Sequence, residues 1–155
     1  MRLKCSLTVF VLLCAGMLIS RADQESLQQE LAQARAATAI YHDVDRAIAD
    51  GYVRATEYEP GEGFHYANVA LIDGVFEIHR PEALLYAVGP NGKLRLAGVE
   101  YLVPLSLSED APEGFTGSED LWREDSEGAG LWEMNAWLWI NNPDGMFAAR
   151  NPRIP

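Results

Sequence analysis

Leu27, Leu31, Ala34, Ala37, Tyr41, Val44 and Ile48 recur at intervals of three and four, and four later segments read as strands. That period places the seven side chains on one stripe of a helix spanning residues 23–50. Asp23 and Glu25 stand at its start, where the positive end of the peptide dipoles favours acids, and Gly51 follows its end. A lone amphipathic helix must bury its stripe against something else, and strands are what the sequence supplies.

Four strand-like segments follow: Phe64–Ile72, Glu82–Val88, Lys93–Val103 and Leu131–Ile140. Gly89-Pro90-Asn91-Gly92 joins the second to the third, and an Asn-Gly pair between alternating runs marks a hairpin. Residues 52–62 read as a connector. Residues 104–130 read as a long acidic loop with Phe115, Leu121 and Trp122 as isolated apolar points. The tail 141–155 carries Asn142-Pro143 and Asn151-Pro152 and should wrap the surface. The expected architecture is α+β, with one long N-terminal helix packed on a curled antiparallel sheet of about four strands. Cystatin-like and nuclear-transport-factor-like cones share that order of elements.

The first residues read as an address. Arg2 and Lys4 precede the apolar run Cys5–Ile19, and Ser20-Arg21-Ala22 offers small side chains around a cleavage point. This is the pattern of a secretory signal peptide covering residues 1–22, with a single domain over 23–155. The run is shorter than the roughly 20 residues that span a bilayer, so no integral span is expected after cleavage. Lipid attachment at Cys14 is the competing outcome, although Leu13 is bulky for it. Cleavage removes Arg2, Lys4, Arg21 and no acid, taking the formal charge from −11 to −14. It also removes Cys5 and Cys14, the only cysteines, so an exported chain (periplasmic or secreted) must hold itself together by packing alone. So acidic a surface repels phosphate backbones and argues against nucleic acid as a partner.

Strand phase singles out a few polar groups. In Lys93–Val103, Glu100 shares its parity with Leu94, Leu96 and Leu102; in Phe64–Ile72, His65 shares its parity with Ala67, Val69 and Leu71. A carboxylate turned toward apolar neighbours costs several kcal/mol unless it is paired or protonated. In Leu131–Ile140 the even positions are uniformly apolar, whereas Glu133, Asn135, Trp137 and Trp139 share the other face. His65, Glu100 and Asn135 are therefore the expected ligand- or metal-binding residues, with Tyr66, His79, Tyr101, Trp137 and Trp139 as secondary candidates. The bland alternative is a buried histidine–glutamate hydrogen bond that only satisfies both groups. The acids at 110, 113, 119, 120, 124, 125 and 127 match no calcium-loop spacing and read as a solvated surface. No GxSxG, HExxH or phosphate-binding glycine loop is present.

The segments Gly63-Phe64-His65-Tyr66, Gly98-Val99-Glu100-Tyr101, Trp137-Leu138-Trp139 and Asn142-Pro143-Asp144-Gly145-Met146-Phe147, with Asn151-Pro152, carry a resemblance. Together they are similar to a family of small exported bacterial proteins of uncharacterised function, over about residues 36–152. The resemblance implies a histidine two residues before the first tryptophan of the Trp-Leu-Trp run, where this chain has Asn135. It also implies more histidine in the preceding segment, whereas residues 104–130 here have none. A metal held by such a cluster in the relatives would lack a principal ligand here.

Three functions remain at this point. The first is an exported binding protein holding a small ligand or a weakly bound metal in an interior site of the sheet. The second is an isomerase- or hydratase-like enzyme of the cone type using a His65–Glu100 pair. The third is an envelope protein that docks a partner through exposed tryptophans or the long loop. No particular cofactor is indicated.

Overall fold

The computed structural model describes residues 20–117, 121–125 and 128–155. Residues 1–19, which carry most of the expected signal peptide, lie outside the described residues. Helix α1 (Arg21–Thr38) opens with a reciprocal cap: Asp23 N donates to Ser20 Oγ at 3.1 Å, and Ser20 N donates to Asp23 Oδ2 at 3.3 Å. The helix thus begins two residues before the expected cleavage point rather than after it. Leu27, Leu31, Ala34 and Thr38 form its buried stripe.

The single helix expected over 23–50 is broken. A tight turn of 3-10 helix occupies Ala39–His42, and a short α2 covers Val44–Ala49. Side chains explain the break. The Tyr86 hydroxyl donates to Tyr41 O at 2.6 Å, and Asp45 N donates to the Asp43 carboxylate at 3.1 Å instead of continuing the ladder. Tyr41 and Val44 still pack on the core as expected, but Thr38 and Ala47 are buried where Ala37 and Ile48 were expected, and Ile48 is 50% exposed.

The sheet is open and antiparallel and has six strands rather than about four, in the order β1-β2-β3-β4-β6-β5. They are β1 (Val53–Arg54), β2 (Phe64–Ala67), β3 (Ala83–Val88), β4 (Leu94–Pro104), β5 (Arg123–Glu124) and β6 (Leu131–Ala136). The two extra strands lie at the edges, inside segments read as a connector and a loop. β2 is shorter than its apolar run, because Asn68 caps a 3-10 turn at Val69–Leu71. The β3–β4 hairpin closes through Gly89 N donating to Lys93 O at 2.8 Å, as the Asn91-Gly92 pair predicts.

One irregularity sorts the two faces. Leu85 pairs with Gly98 but Tyr86 pairs with Leu96, leaving Ala97 as an extra residue in β4. The phase of β4 therefore reverses at the bulge. Leu96 joins Val99, Tyr101, Leu84, Tyr86, Met134 and Ala136 in the core beneath the helix. The opposite face carries Leu85, Ala87, Ala97, Trp137 and Ile154, with Ala67, Ala83 and Leu102 in a smaller cluster. The grouping of Glu100 with Leu94 and Leu96 is thus corrected: of the three leucines, only Leu102 shares its face.

The C-terminal tail binds this second face. Trp137 Nε1 donates to Ala148 O at 2.7 Å, Asn142 Nδ2 to Arg150 O at 2.8 Å, and Asn151 Nδ2 to Ile140 O at 3.0 Å. Backbone bonds then tie it to the turn before β2, Asn151 N to Gly61 O and Gly61 N to Ile154 O. Nor is the acidic segment merely a surface loop. Phe115 is buried against Phe76, Tyr101 and Phe147, and Thr116 donates to the Glu30 carboxylate of α1 through both its amide and hydroxyl. Residues 118–120 and 126–127 of that segment are outside the described residues.

Candidate functional site

The two ionisable groups singled out by phase meet. In β2, His65 stands opposite Leu85; in β4, Glu100 stands between Ala83 on one side and Asn135 of β6 on the other. His65 Nδ1 lies 3.3 Å from Glu100 Oε2, with the imidazole side chain 17% exposed and the carboxyl side chain 5% exposed. They share the sheet face turned away from the helix. The backbone of β2 is held in place here, since His65 N donates to Thr56 Oγ1 and Ala55 N donates to His65 O.

Further charged groups complete the site. Glu62, in the turn before β2, places Oε2 3.8 Å from His65 Nε2, and its other oxygen accepts from Arg150 Nε of the tail at 2.6 Å. Gly63 makes that turn feasible: its φ is +87°, and a Cβ there would sit 2.4 Å from Tyr86 O. Asn135 is anchored on both ends, Nδ2 donating to Ala149 O at 2.8 Å and Oδ1 accepting from Arg123 Nη2 at 3.3 Å. Glu133 projects from the next same-face position of β6, opposite Leu102.

Burial dominates the electrostatics. It raises the Glu100 carboxyl to about 7; the Arg123 charge opposes the rise and Glu62 adds to it. Glu133 is likewise raised to about 7, by burial first and then by Glu100, with Arg123 opposing. Arg150 engages Glu62, His65 faces Glu100, and the charge of Arg123 acts on both the buried Glu100 and the half-buried Glu133. With both carboxyls raised to about 7, this end of the sheet exchanges protons near neutral pH.

The secondary candidates divide by face. Trp137 is on the site face but fully packed at 1% exposure. Tyr66 and Tyr101 lie on the helix side, Tyr66 edge-on to Tyr86 and the Tyr101 hydroxyl donating to Ile78 O. β6 ends at Ala136, so Trp139 does not continue the Trp137 face; it packs into the helix-side core, edge-on to His42. His79 is exposed in a loop beside Phe76 and Arg80, away from the pair. Glu133 was legible from its parity with Asn135. Glu62 and Arg123 were hidden in segments read as irregular.

Among the described residues, no group of three or more histidine, cysteine, aspartate or glutamate side chains is arranged to hold a metal ion. No helix of the described residues is long and apolar enough to cross a membrane. Comparisons with protein-family models, with curated proteins and with solved structures find no match.

Proposed function

We propose that this chain is an exported binding protein whose site is the His65–Glu100–Glu133 cluster, and that its ligand is a small organic cation such as an amine. The supporting observation is the 3.3 Å approach of His65 Nδ1 to Glu100 Oε2 at a rim where the imidazole retains contact with solvent. A protonated amine adds positive charge beside the buried Glu100 and the half-buried Glu133, and donates hydrogen bonds that a carboxylate accepts. His65 orients Glu100, while Asn135, fixed between Arg123 and the tail, closes one wall. An organic cation asks for fewer fixed ligands than a metal ion, which suits the donor set.

Acid–base catalysis by the same pair is the second reading, since the two groups are near hydrogen-bond reach. Docking through exposed tryptophans has less support: Trp137 is buried, and Trp132 Nε1 is engaged with Ser108 O.

Isothermal titration with putrescine and with butylamine tests the proposal, alongside native mass spectrometry of protein purified from the exported fraction. Saturable binding that strengthens as pH rises through about 7 and weakens at least about tenfold in Glu100→Gln is the expected result. Absence of heat with either amine, or equal affinity in Glu100→Gln, overturns it.

A further inference from the structure

A cavity lies on the same sheet face, at the hairpin end, and its charged lining residues are basic rather than acidic. It has a volume of about 490 Å³ and is lined by Tyr58, Ala87, Val88, Ile140, Arg95 and Arg153, with Gly89, Pro90 and Pro155 at its edges. That volume falls within the range of small-molecule sites. The floor is apolar: Ala87 is a buried member of the outer cluster, and Tyr58 and Ile140 pack against it. The walls are shaped by bonded parts. The Tyr58 hydroxyl donates to Pro155 O at 2.8 Å, and the Arg95 stem lies along Gly89, where a Cβ would sit 3.0 Å from Arg95 Cδ.

The two guanidiniums are what single this cavity out. In a chain with 23 acids and 12 lysines and arginines, positive groups are scarce, and Arg21, Arg54, Arg80 and Arg150 each pair with a glutamate. Arg95 and Arg153, like Arg35, Arg46, Lys93 and Arg123, form no ion pair with any described residue; they are the two of that set that line a cavity, where no aspartate or glutamate stands and Pro155 O is engaged by the Tyr58 hydroxyl. Arginine's planar fork matches a carboxylate, and an apolar wall beside it strengthens the attraction by excluding water.

We infer that this cavity binds a small amphiphilic carboxylate, its acid group held between Arg95 and Arg153 and its apolar body lying on Ala87, Val88, Ile140 and Tyr58. The site is independent of the His65–Glu100 cluster and takes a ligand of the opposite charge.

Dodecanoate, kept below its micellar concentration, is the probe, with dodecylamine and dodecanol as controls matched in chain length. Titration of the full chain should show one saturable dodecanoate site, bound at least about tenfold more tightly than dodecanol. The double variant Arg95→Glu/Arg153→Glu changes only exposed side chains; its circular dichroism should match the parent while dodecanoate affinity falls at least about tenfold. Lack of saturable dodecanoate binding by the parent overturns the inference. So does undiminished binding by the folded double variant, or dodecylamine binding as tightly as dodecanoate in competition with it. Should the double variant not fold, Arg95→Gln and Arg153→Gln singly carry the same expectation of reduced affinity.

Discussion

Glu100 is a carboxyl in a place that water barely reaches, and its ionisation is disfavoured there more than in an unfolded chain. Glu133 beside it and Glu82, whose Oε2 accepts from Leu102 N at 3.0 Å, are raised to about 7 by burial as well. Between the ordinary glutamate value of 4.5 and about 7, the folded state holds more protons than the unfolded state. The derivative of unfolding free energy with pH is then negative. Stability should be fully present below about 4.5, fall as pH rises to about 7, and level off beyond, the reverse of ordinary acid denaturation. Urea midpoints measured at intervals across that window check it, and a rising midpoint would contradict it. Glu100→Gln keeps an acceptor for His65 without the charge, so its midpoint should vary less with pH and exceed the parent's at pH 8.

Among the elements, β4 governs the most. Its bulge at Ala97 lets one strand present Leu96, Val99 and Tyr101 to the helix while keeping Glu100 and Leu102 on the outer face. Gly98, next to the bulge, lets β6 approach closely: a Cβ there would lie 2.6 Å from Ala136 O and 3.2 Å from Trp137 Cα. Gly98→Ala should therefore cost about 1–3 kcal/mol, because backbone rather than a flexible side chain must yield; a shift in the urea midpoint measures it. The helix register through Ala34, the Asn-Gly hairpin and the shared face of His65 and Ala67 could all be read from residue order, since each is a local preference; Thr38 is buried where Ala37 was expected, and Val69 and Leu71, grouped with His65, leave its face in the 3-10 turn. The bulge could not. Glu100 was placed beside His65 by parity, yet Leu94 and Leu96 were assigned to its face, because an inserted residue leaves no trace in an alternating pattern. The edge strands β1 and β5 were missed for a related reason, since two-residue strands exist only through their partners. Ile48 was misplaced because a hydroxyl from Tyr86, distant in sequence, interrupts the helix.

At the scale of the whole molecule, the tail does the work that a second layer does elsewhere. Ile154 is 3% exposed among Leu85, Ala87, Ala97 and Trp137, and Asn151 is wholly buried. Ile154→Ala should lower stability by about 2–5 kcal/mol and shift Trp137 emission to the red as water gains access; unchanged emission with an unchanged melting temperature would contradict that role. With the helix on one side and this strap on the other, both faces of the open sheet are covered. The proposed amine site and the proposed carboxylate cavity both border the strap, through Arg150 and Arg153 respectively. Arg150 joins Glu62 and Glu59 across sequence separations of 88 and 91 residues. A nascent chain can therefore dock the helix and zip the hairpin early, but the outer surface closes only once residues 148–154 have followed. On this topology both proposed sites are completed after the core beneath the helix, not with it.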